Sequence, residues 1–133
     1  MPLTSDDKIE IGELLADYCH AIDHGRHGEI PAMFTEDCVI DFGALMGRHE
    51  GQAGARHFAD MLAKTPIRMR HYVTNVRVTG DGDTAHAESY VLAMVGDPGK
   101  LTPTTGRYED DLQKVHGRWK LRARRAVIEL PGA

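Results

Sequence analysis

The amino-terminal segment repeats its apolar residues with the period of an α-helix. These residues recur every three or four positions and form a single stripe, which consists of Ile11, Leu14, Leu15, Tyr18 and Ile22. Thr4 or Ser5 can cap the start of the helix, because two aspartates follow in the first turn, where the helix dipole favours negative charge. Gly25 suits the position just past the end. We therefore predict a first helix that ends close to Asp23, which lies at the margin of the stripe.

Residues 30–66 have weaker patterns, which indicate two further helices and a short strand. A second, shorter helix is predicted around Ile30, Met33 and Phe34, since Pro31 is tolerated in a first turn. We interpret residues 35–37 as a turn, 38–42 as a strand and 43–51 as a loop or hairpin. A third helix is then predicted to end near Thr65-Pro66, on the apolar positions Ala55, Phe58, Met61 and Leu62.

Beyond residue 66 the apolar period changes to two, which is typical of β-strands. One strand places Ile67, Met69, His71, Val73 and Asn75 on a common face. The hairpin signal Asp81-Gly82 ends it, and a second strand places alternate residues from Ala85 to Val95 on one face. Asp97-Pro98-Gly99 and His116-Gly117 are two more predicted turns, around a strand from about Thr102 to Val115. A last strand is expected from Arg118 to just before Pro131.

This order of elements predicts an α+β fold, in which about three amino-terminal helices pack on one face of a curved, mixed or antiparallel sheet that encloses a pocket. The 133 residues fit one domain, 1–133. With 41% hydrophobic residues, 27% charged residues and a net charge of −4, the chain gives no reason to expect nucleic acid as a partner. No apolar run is long enough to span a membrane, and no apolar targeting segment is evident, so we expect a cytoplasmic protein. Cys19 and Cys38 form no CxxC and are expected to be reduced packing residues.

His71 is the first candidate for chemistry, because it lies among apolar residues on the strand face that is expected to point inward. A lone histidine on such a face is usually a core residue, but Asp23 lies where a helix end can meet the mouth of the sheet. A carboxylate bonded to one ring nitrogen would leave the other nitrogen free as a base. Tyr18, on the inward stripe, can donate its hydroxyl to a developing oxyanion or protonate a leaving hydroxyl, although a core aromatic is the alternative interpretation.

Further residues are candidates for substrate binding because the alternation of side chains along their strands predicts that they face inward. Asn75 shares a face with His71, with a structural amide at a strand end as the alternative, and Tyr108 alternates to face inward. Arg125 shares parity with Trp119 and could hold an anionic or carbonyl oxygen. We expect Arg122 and Arg124 to lie on a solvated edge. Asp110 is a weaker candidate carboxylate, because it shares parity with Tyr108 and Leu112.

Several of these segments together resemble the SnoaL-like domains of the nuclear-transport-factor-2-like superfamily. They are Tyr18-x4-Asp23, FTEDCVIDFG, RHYVTNVRVTGDGDTAHAESYV and GRYEDDLQKVHGRWKLRARR, and they cover nearly the whole chain. The resemblance implies a cone-shaped α+β barrel, with His71 as base, Asp23 as its orienting carboxylate and Tyr18 as an aid to the leaving group. It implies neither a metal nor an organic cofactor.

Within the superfamily the chain is most similar to enzymes of the scytalone dehydratase, bile-acid 7α-dehydratase and hexachlorocyclohexane dehydrochlorinase type. There are two departures from the scytalone dehydratase pattern. An apolar residue near Val95 stands in place of a second histidine, and Phe42 stands in place of a tyrosine on the first strand. Phe42 is therefore expected to line the substrate pocket without taking part in the water network that this enzyme type uses.

The resulting function hypothesis is a lyase that removes water or another leaving group from a small hydrophobic cyclic molecule. Two alternatives remain open: a non-catalytic ligand-binding module, including the small subunits of ring-hydroxylating dioxygenases, and an isomerase or cyclase on the same fold. The spacing of His20 and His24, with His27 nearby, can bind zinc, but His20 and His24 fall on the polar side of the helix. Because related folds pair through the open face of the sheet, we expect a homodimer or homotrimer.

Overall fold

The computed structural model describes residues 1–97 and 99–130, and its helices lie mainly in the first half of the chain. The helices are α1 (Ser5–Asp23), α2 (Gly43–Met46) and α3 (Gly51–Lys64). The strands are β1 (Phe34–Asp41), β2 (Arg48–Glu50), β3 (Arg68–Asp81), β4 (Thr84–Asp97), β5 (Lys100–Val115) and β6 (Arg118–Leu130). The turn predicted at Asp97-Pro98-Gly99 includes residue 98, which lies outside the described residues.

The strands form one curved sheet in the order β2-β1-β6-β5-β4-β3, with the helices packed on one face. Strands β1 and β6 are parallel, and all other neighbours are antiparallel. The α+β prediction is therefore confirmed. The prediction of a barrel is corrected, because β2 and β3 are edge strands and the sheet does not close in the part of the chain described. In that part, no helix is both long and apolar enough to span a membrane.

Helix α1 begins and ends as its sequence predicts. Thr4 caps it: the Thr4 hydroxyl oxygen accepts from the Asp7 backbone N–H at 3.1 Å, and the Asp7 carboxylate accepts from the Thr4 N–H at 2.9 Å. Past its end, Gly25 adopts a φ of +73°, which a residue without a Cβ tolerates at no steric cost. The apolar stripe is buried against the sheet, since Ile11 and Tyr18 are at most 1% exposed. The core therefore lies between this helix, α3 and the inner face of β1, β4, β5 and β6.

Residues 27–51 differ from their predicted structure. The second helix is replaced by two 3₁₀ turns, His27–Glu29 and Pro31–Met33. The residues interpreted as a turn, 35–37, belong to β1, which begins at Phe34. The register of β1 against β6 shifts between Phe34 and Val39, so this irregular stretch of strand carries polar residues that look like a turn in the sequence. The segment 43–51 contains α2 and β2, which pairs with β1.

The antiparallel part of the sheet follows the prediction except at three irregularities of register among the described residues, and two of these are β-bulges that concern the candidate site. The hairpin at Asp81-Gly82 joins β3 to β4 as expected, and His116 and Gly117 form the β5–β6 turn with φ values of +51° and +77°. In β3, Asn75 and Val76 together lie opposite one residue of β4. In β6, Arg122 is an extra residue between Leu121 and Ala123, which face consecutive residues of β5. Because side chains alternate between faces along a strand, each bulge reverses the parity of the residues that follow it.

Acidic residues near the start of α1 fix the helix to the sheet. The Asp7 carboxylate accepts from the Trp119 indole N–H and from the Lys114 ammonium, both at 3.0 Å. One turn further on, the Glu10 carboxylate accepts from the Trp119 backbone N–H at 2.6 Å. Three donors hold the pKa of Asp7 well below its ordinary value. The Thr4 backbone N–H has the largest effect, and the Trp119 indole N–H and the Lys114 ammonium add to it. The fold therefore favours the ionised form of Asp7.

We expect the substitution Asp7→Asn to lower the thermal unfolding midpoint at neutral pH. The folded-state pKa of Asp7 is depressed, so its stabilising effect is present above its unfolded pKa of about 3.9 and is lost as the pH falls toward the folded value. The difference in midpoint between wild type and variant should therefore shrink as the pH is lowered below about 4 in circular-dichroism melts. Asp6→Asn, in the same helical turn, is the matched control. A difference that stays constant down to acidic pH would contradict this account.

Candidate active site

The structure brings Asp23 and His71 into direct contact. Asp23 is the last residue of α1, and His71 lies on the edge strand β3. The two side chains are joined by a hydrogen bond of 2.6 Å between His71 Nδ1 and Asp23 Oδ1. The other carboxylate oxygen, Oδ2, accepts from the His71 backbone N–H at 2.8 Å. The side chains of Asp23 and His71 are only 4% and 9% exposed, so this interaction is shielded from bulk water.

The position of β3 explains why a carboxylate fits here. An edge strand has backbone N–H groups with no partner strand, and the N–H of His71 is one of them. One oxygen of the Asp23 carboxylate accepts from that N–H, and the other oxygen accepts from the imidazole ring. A carboxylate can only accept when ionised, so Nδ1 carries the proton and the lone pair of Nε2 is left for a ligand. The arrangement supplies a base whose protonated form a neighbouring negative charge stabilises.

His71 lines an apolar cavity of about 400 Å³ between the helices and the inner face of the sheet. Tyr18, Phe42 and Tyr108 form an aromatic wall in it, and the Tyr108 ring lies 6.2 Å from the ring of Tyr18 and 6.3 Å from that of Phe42. Aliphatic and methionine side chains such as Leu62 and Met69 supply much of the remaining lining. The volume is in the range of sites that bind small organic molecules. Besides His71, three of the predicted site residues therefore line this cavity.

Tyr18 and Tyr108 are neutral hydroxyl donors in this cavity. Burial raises the pKa of Tyr18 above its ordinary value, and the nearby positive charge of Arg124 opposes that rise only in part. Burial likewise raises the pKa of Tyr108 well above its ordinary value. A phenol that stays protonated at physiological pH can donate a hydrogen bond to a ligand oxygen.

Asn75 does not reach the cavity, which corrects the prediction that it binds substrate. It lies at the bulge of β3, is exposed, and has a φ of +55°. The strict alternation that placed it beside His71 ends at Thr74, where the pairing register shifts. Asparagine tolerates this left-handed conformation better than most residues, so its role here is local to the backbone.

The exposures predicted for Arg124 and Arg125 are reversed in the structure. Arg124, expected on a solvated edge, is fully buried, whereas Arg125 is exposed and pairs with Glu109 on the outer face of the sheet. The extra residue Arg122 reverses the parity after Leu121 and so turns Arg124 inward. The sequence did contain one signal: Asp110 shares a face with two buried residues, and a buried carboxylate requires a cationic or hydrogen-bonding partner. That partner is Arg124.

The remaining candidate groups are the two cysteines and the histidines of α1. Cys19 and Cys38 are buried and free, and burial raises the pKa of the Cys19 thiol to about 11. The rings of His20 and His24 stack at 5.6 Å on the exposed side of α1. Within residues 1–97 and 99–130, no group of three or more histidine, cysteine, aspartate or glutamate side chains is arranged to hold a metal ion.

Comparison with known proteins identifies the family and the fold. A model of the SnoaL-like domain matches residues 4–125. An uncharacterized protein of Mycobacterium tuberculosis is 30% identical over 119 residues, which cover 86% of this chain and 80% of that protein. A candidate aromatic ring hydroxylase from Novosphingobium aromaticivorans is 31% identical and superposes with a TM-score of 0.84 over 97% of this chain and 93% of that one.

Two solved structures of lower identity share the fold. A candidate scytalone dehydratase from Novosphingobium aromaticivorans is 22% identical, with a TM-score of 0.81 over 93% of this chain and 85% of that chain. A hexachlorocyclohexane dehydrochlorinase is 19% identical, with a TM-score of 0.80 over 93% of this chain and 86% of that chain. At these identities the likeness concerns the fold.

The dyad geometry makes a prediction for the histidine tautomer. We expect nitrogen-15 NMR of the neutral imidazoles to show His71 protonated on Nδ1, because the Asp23 carboxylate accepts from that nitrogen. In an Asp23→Ala variant the carboxylate is gone, and the Nδ1–H tautomer should lose its preference. The exposed His57 on α3 serves as an internal control and should be unchanged. An unaltered His71 spectrum in the variant would show that Asp23 does not set the tautomer.

Proposed function

The chain belongs to the SnoaL-like domain family, and we propose that it is a cofactor-independent lyase of the dehydratase type. Its substrate is a small hydrophobic cyclic molecule, from which it removes water or another leaving group. The observation that carries the proposal is the 2.6 Å hydrogen bond from His71 Nδ1 to Asp23, which leaves Nε2 as the basic nitrogen of a residue that lines the apolar cavity. A histidine held in this way can act as the general base that removes a proton from carbon.

The proposed reaction is an elimination that takes place in the apolar cavity. Nε2 of His71 takes a proton from a carbon beside a carbonyl or other activating group, and the imidazolium that forms is stabilised by the Asp23 carboxylate. The electrons of the broken C–H bond pass to the activating group, and they return to form the new double bond as the bond to the leaving group breaks. Tyr18 donates its hydroxyl hydrogen to a substrate oxygen, either that of the departing hydroxyl or that on which negative charge develops.

The shape and lining of the cavity agree with this substrate class. About 400 Å³ accommodates a molecule of one or two rings, and the aromatic wall provides flat apolar surface for it. Exclusion of water strengthens the interaction between the dyad and the developing charges. The names of two proteins with the same fold, a candidate scytalone dehydratase and a dehydrochlorinase, also denote eliminations.

A second candidate is a non-catalytic module of the kind found as a small subunit in ring-hydroxylating dioxygenases. The beta subunit of a candidate aromatic-ring-hydroxylating dioxygenase from Novosphingobium aromaticivorans has the same fold, at 20% identity and a TM-score of 0.78. Such a subunit would copurify with a larger partner and would tolerate the loss of His71. An isomerase or cyclase would use the same base without a leaving group, and product analysis distinguishes it from a lyase.

Substitution of the dyad tests the proposal directly. Wild-type protein is incubated with a panel of cyclic β-hydroxy ketones, and loss of water is followed by mass spectrometry. On a substrate that the wild type converts, we expect His71→Ala and Asp23→Asn each to lower kcat/KM by about 10² to 10⁴, the usual contribution of a positioned base. His57→Ala, on the exposed face of α3, is the control for removing a histidine.

The two candidates give different outcomes in this experiment. If His71→Ala retains full turnover with an intact fold, the lyase proposal is wrong. If the wild type converts no member of the panel and instead copurifies with a larger subunit that also retains the His71→Ala variant, the non-catalytic module replaces it.

The proposed enzyme is a homodimer or homotrimer that pairs through the outer face of the sheet. Four large apolar side chains are exposed on β3, β4 and β5 of that face, namely Tyr72, Tyr90, Leu92 and Leu101. An apolar area of this kind on a sheet face marks an association surface. It lies on the side of the sheet opposite to the cavity.

Gel filtration with light scattering checks the oligomeric state. We expect the wild type to elute at a multiple of the protomer mass, and the double substitution Tyr90→Lys and Leu92→Lys to shift it toward the monomer by placing like charges in the contact. Lys substitutions at Thr79 and Thr84, exposed elsewhere on the same strands, are the control. A wild type that elutes at the mass of one chain would contradict the proposal.

A further inference from the structure

Arg124 and Asp110 form a fully buried ion pair behind the aromatic wall. Arg124 Nε donates to Asp110 Oδ1 at 2.8 Å and Nη2 donates to Oδ2 at 2.9 Å, and both side chains are 0% exposed. Taking two charges out of water costs several kcal/mol per ion, and replacement of such pairs by apolar residues is often neutral or stabilising. Stability alone therefore does not account for the pair.

The guanidinium of Arg124 contacts both tyrosines of the cavity. Its carbon lies 3.9 Å from the ring centroid of Tyr108 and 4.4 Å from that of Tyr18. The two rings meet edge to face, with their centroids 6.2 Å apart. Because the fork of Arg124 is held by Asp110 and its guanidinium lies over both rings, it restrains the orientation of both rings.

Asp110 neutralises only part of the positive charge of Arg124. Among the described residues, Nη1 of Arg124 is buried and donates to no carboxylate, since Asp110 accepts from Nε and Nη2. For both tyrosines, Arg124 lowers the pKa more strongly than Asp110 raises it, although burial has the largest effect and keeps both pKa values high. The ion pair therefore presents the tyrosines with a net positive potential, which favours negative charge next to their hydroxyl groups.

We propose that Arg124 is a positioning residue, which holds the Tyr18 and Tyr108 hydroxyls as paired hydrogen-bond donors to one oxygen of the substrate. That oxygen is a carbonyl oxygen, which becomes negatively charged when a proton is removed from the carbon beside it. This inference deepens the proposed lyase function and rests on it for the identity of the base. It narrows the substrate class to carbonyl compounds, since a substrate without such an oxygen gains nothing from two neutral donors under a positive potential.

The proposed reaction passes through an enolate. His71 removes the proton, and the electrons move onto the carbonyl oxygen to form an enolate that accepts from both hydroxyls. The enolate then restores the carbonyl and expels the leaving group at the neighbouring carbon, which departs with the proton that His71 removed, as water where it is a hydroxyl. Arg124 does not touch the substrate in this scheme, and its contribution passes through the two rings.

Binding of p-nitrophenol tests the donor pair without any turnover, because the bound phenolate is visible by its absorbance. We expect the wild type to bind the phenolate in preference to the phenol and so to lower the pKa of the bound probe. In the double variant Arg124→Met/Asp110→Leu, which removes both charges, that preference should fall about tenfold, or one pKa unit. Its thermal unfolding midpoint should stay close to that of the wild type.

The chain offers a matched control one residue away on each strand. Arg125 and Glu109 are also paired across β5 and β6, at 3.3 Å, but on the outer face. The variant Arg125→Met/Glu109→Leu should leave the preference for phenolate unchanged. Tyr18→Phe, which removes one donor and keeps the ring, should reduce it.

The possible outcomes separate this inference from the proposed function. If the wild type shows no preference for phenolate, or if the Arg124→Met/Asp110→Leu variant keeps it, the positioning role is wrong even where His71 proves to be the base. If the double variant loses cooperative unfolding, Arg124→Lys replaces it: lysine keeps the charge without the planar fork, and a full preference for phenolate in that variant would overturn the inference. Conversely, an Arg124-dependent preference for phenolate stands even if His71→Ala retains turnover.

Discussion

The carboxylate of Asp23 accepts two hydrogen bonds from a single residue, and the geometry of the cavity depends on this interaction. A six-stranded sheet that does not close must be covered along its length, and α1 provides that cover. The start of the helix is bonded to β5 and β6 through Asp7 and Glu10, and its end is bonded to β3 through Asp23. Because both ends are fixed, Tyr18 between them faces the cavity in one orientation. The residue that we propose to orient the base is thus also a structural attachment of the helix.

Local signals in the sequence were sufficient for much of this architecture and for the dyad. Helix capping, the residue after the helix end and the two tight hairpins depend on neighbouring residues, so Thr4, Gly25 and Asp81-Gly82 have the predicted roles. Periodicity and a resemblance pair Asp23 with His71, and the alternation along β3 holds as far as His71 because the bulge follows it. Residues 35–37 differ from the predicted turn because polar residues occupy an irregular stretch of a strand.

The errors in the candidate site have one physical cause, the β-bulge. Strand parity is a rule about consecutive residues, and a single inserted residue reverses it for the rest of the strand. Asn75 and Arg124 both lie just beyond the point where alternation breaks, one in β3 and one in β6. A bulge depends on pairing with a distant strand, so the local pattern of residues 118–130 does not reveal it. The constraint that does reveal Arg124 is energetic and non-local, since Asp110 cannot be buried as an anion without a partner.

The edge position of β3 has a consequence for the behaviour of the protein in solution. An unpaired strand edge is a template on which a strand of another molecule can add, and long flat edges favour aggregation. Asp23 occupies one of the free N–H groups, and the bulge at Asn75 distorts the edge further along. The carboxylate that orients the catalytic candidate therefore also blocks intermolecular β-sheet extension. Selection for solubility and selection for chemistry would act on the same side chain, so relatives that have lost the chemistry would still have a reason to keep an acidic residue there.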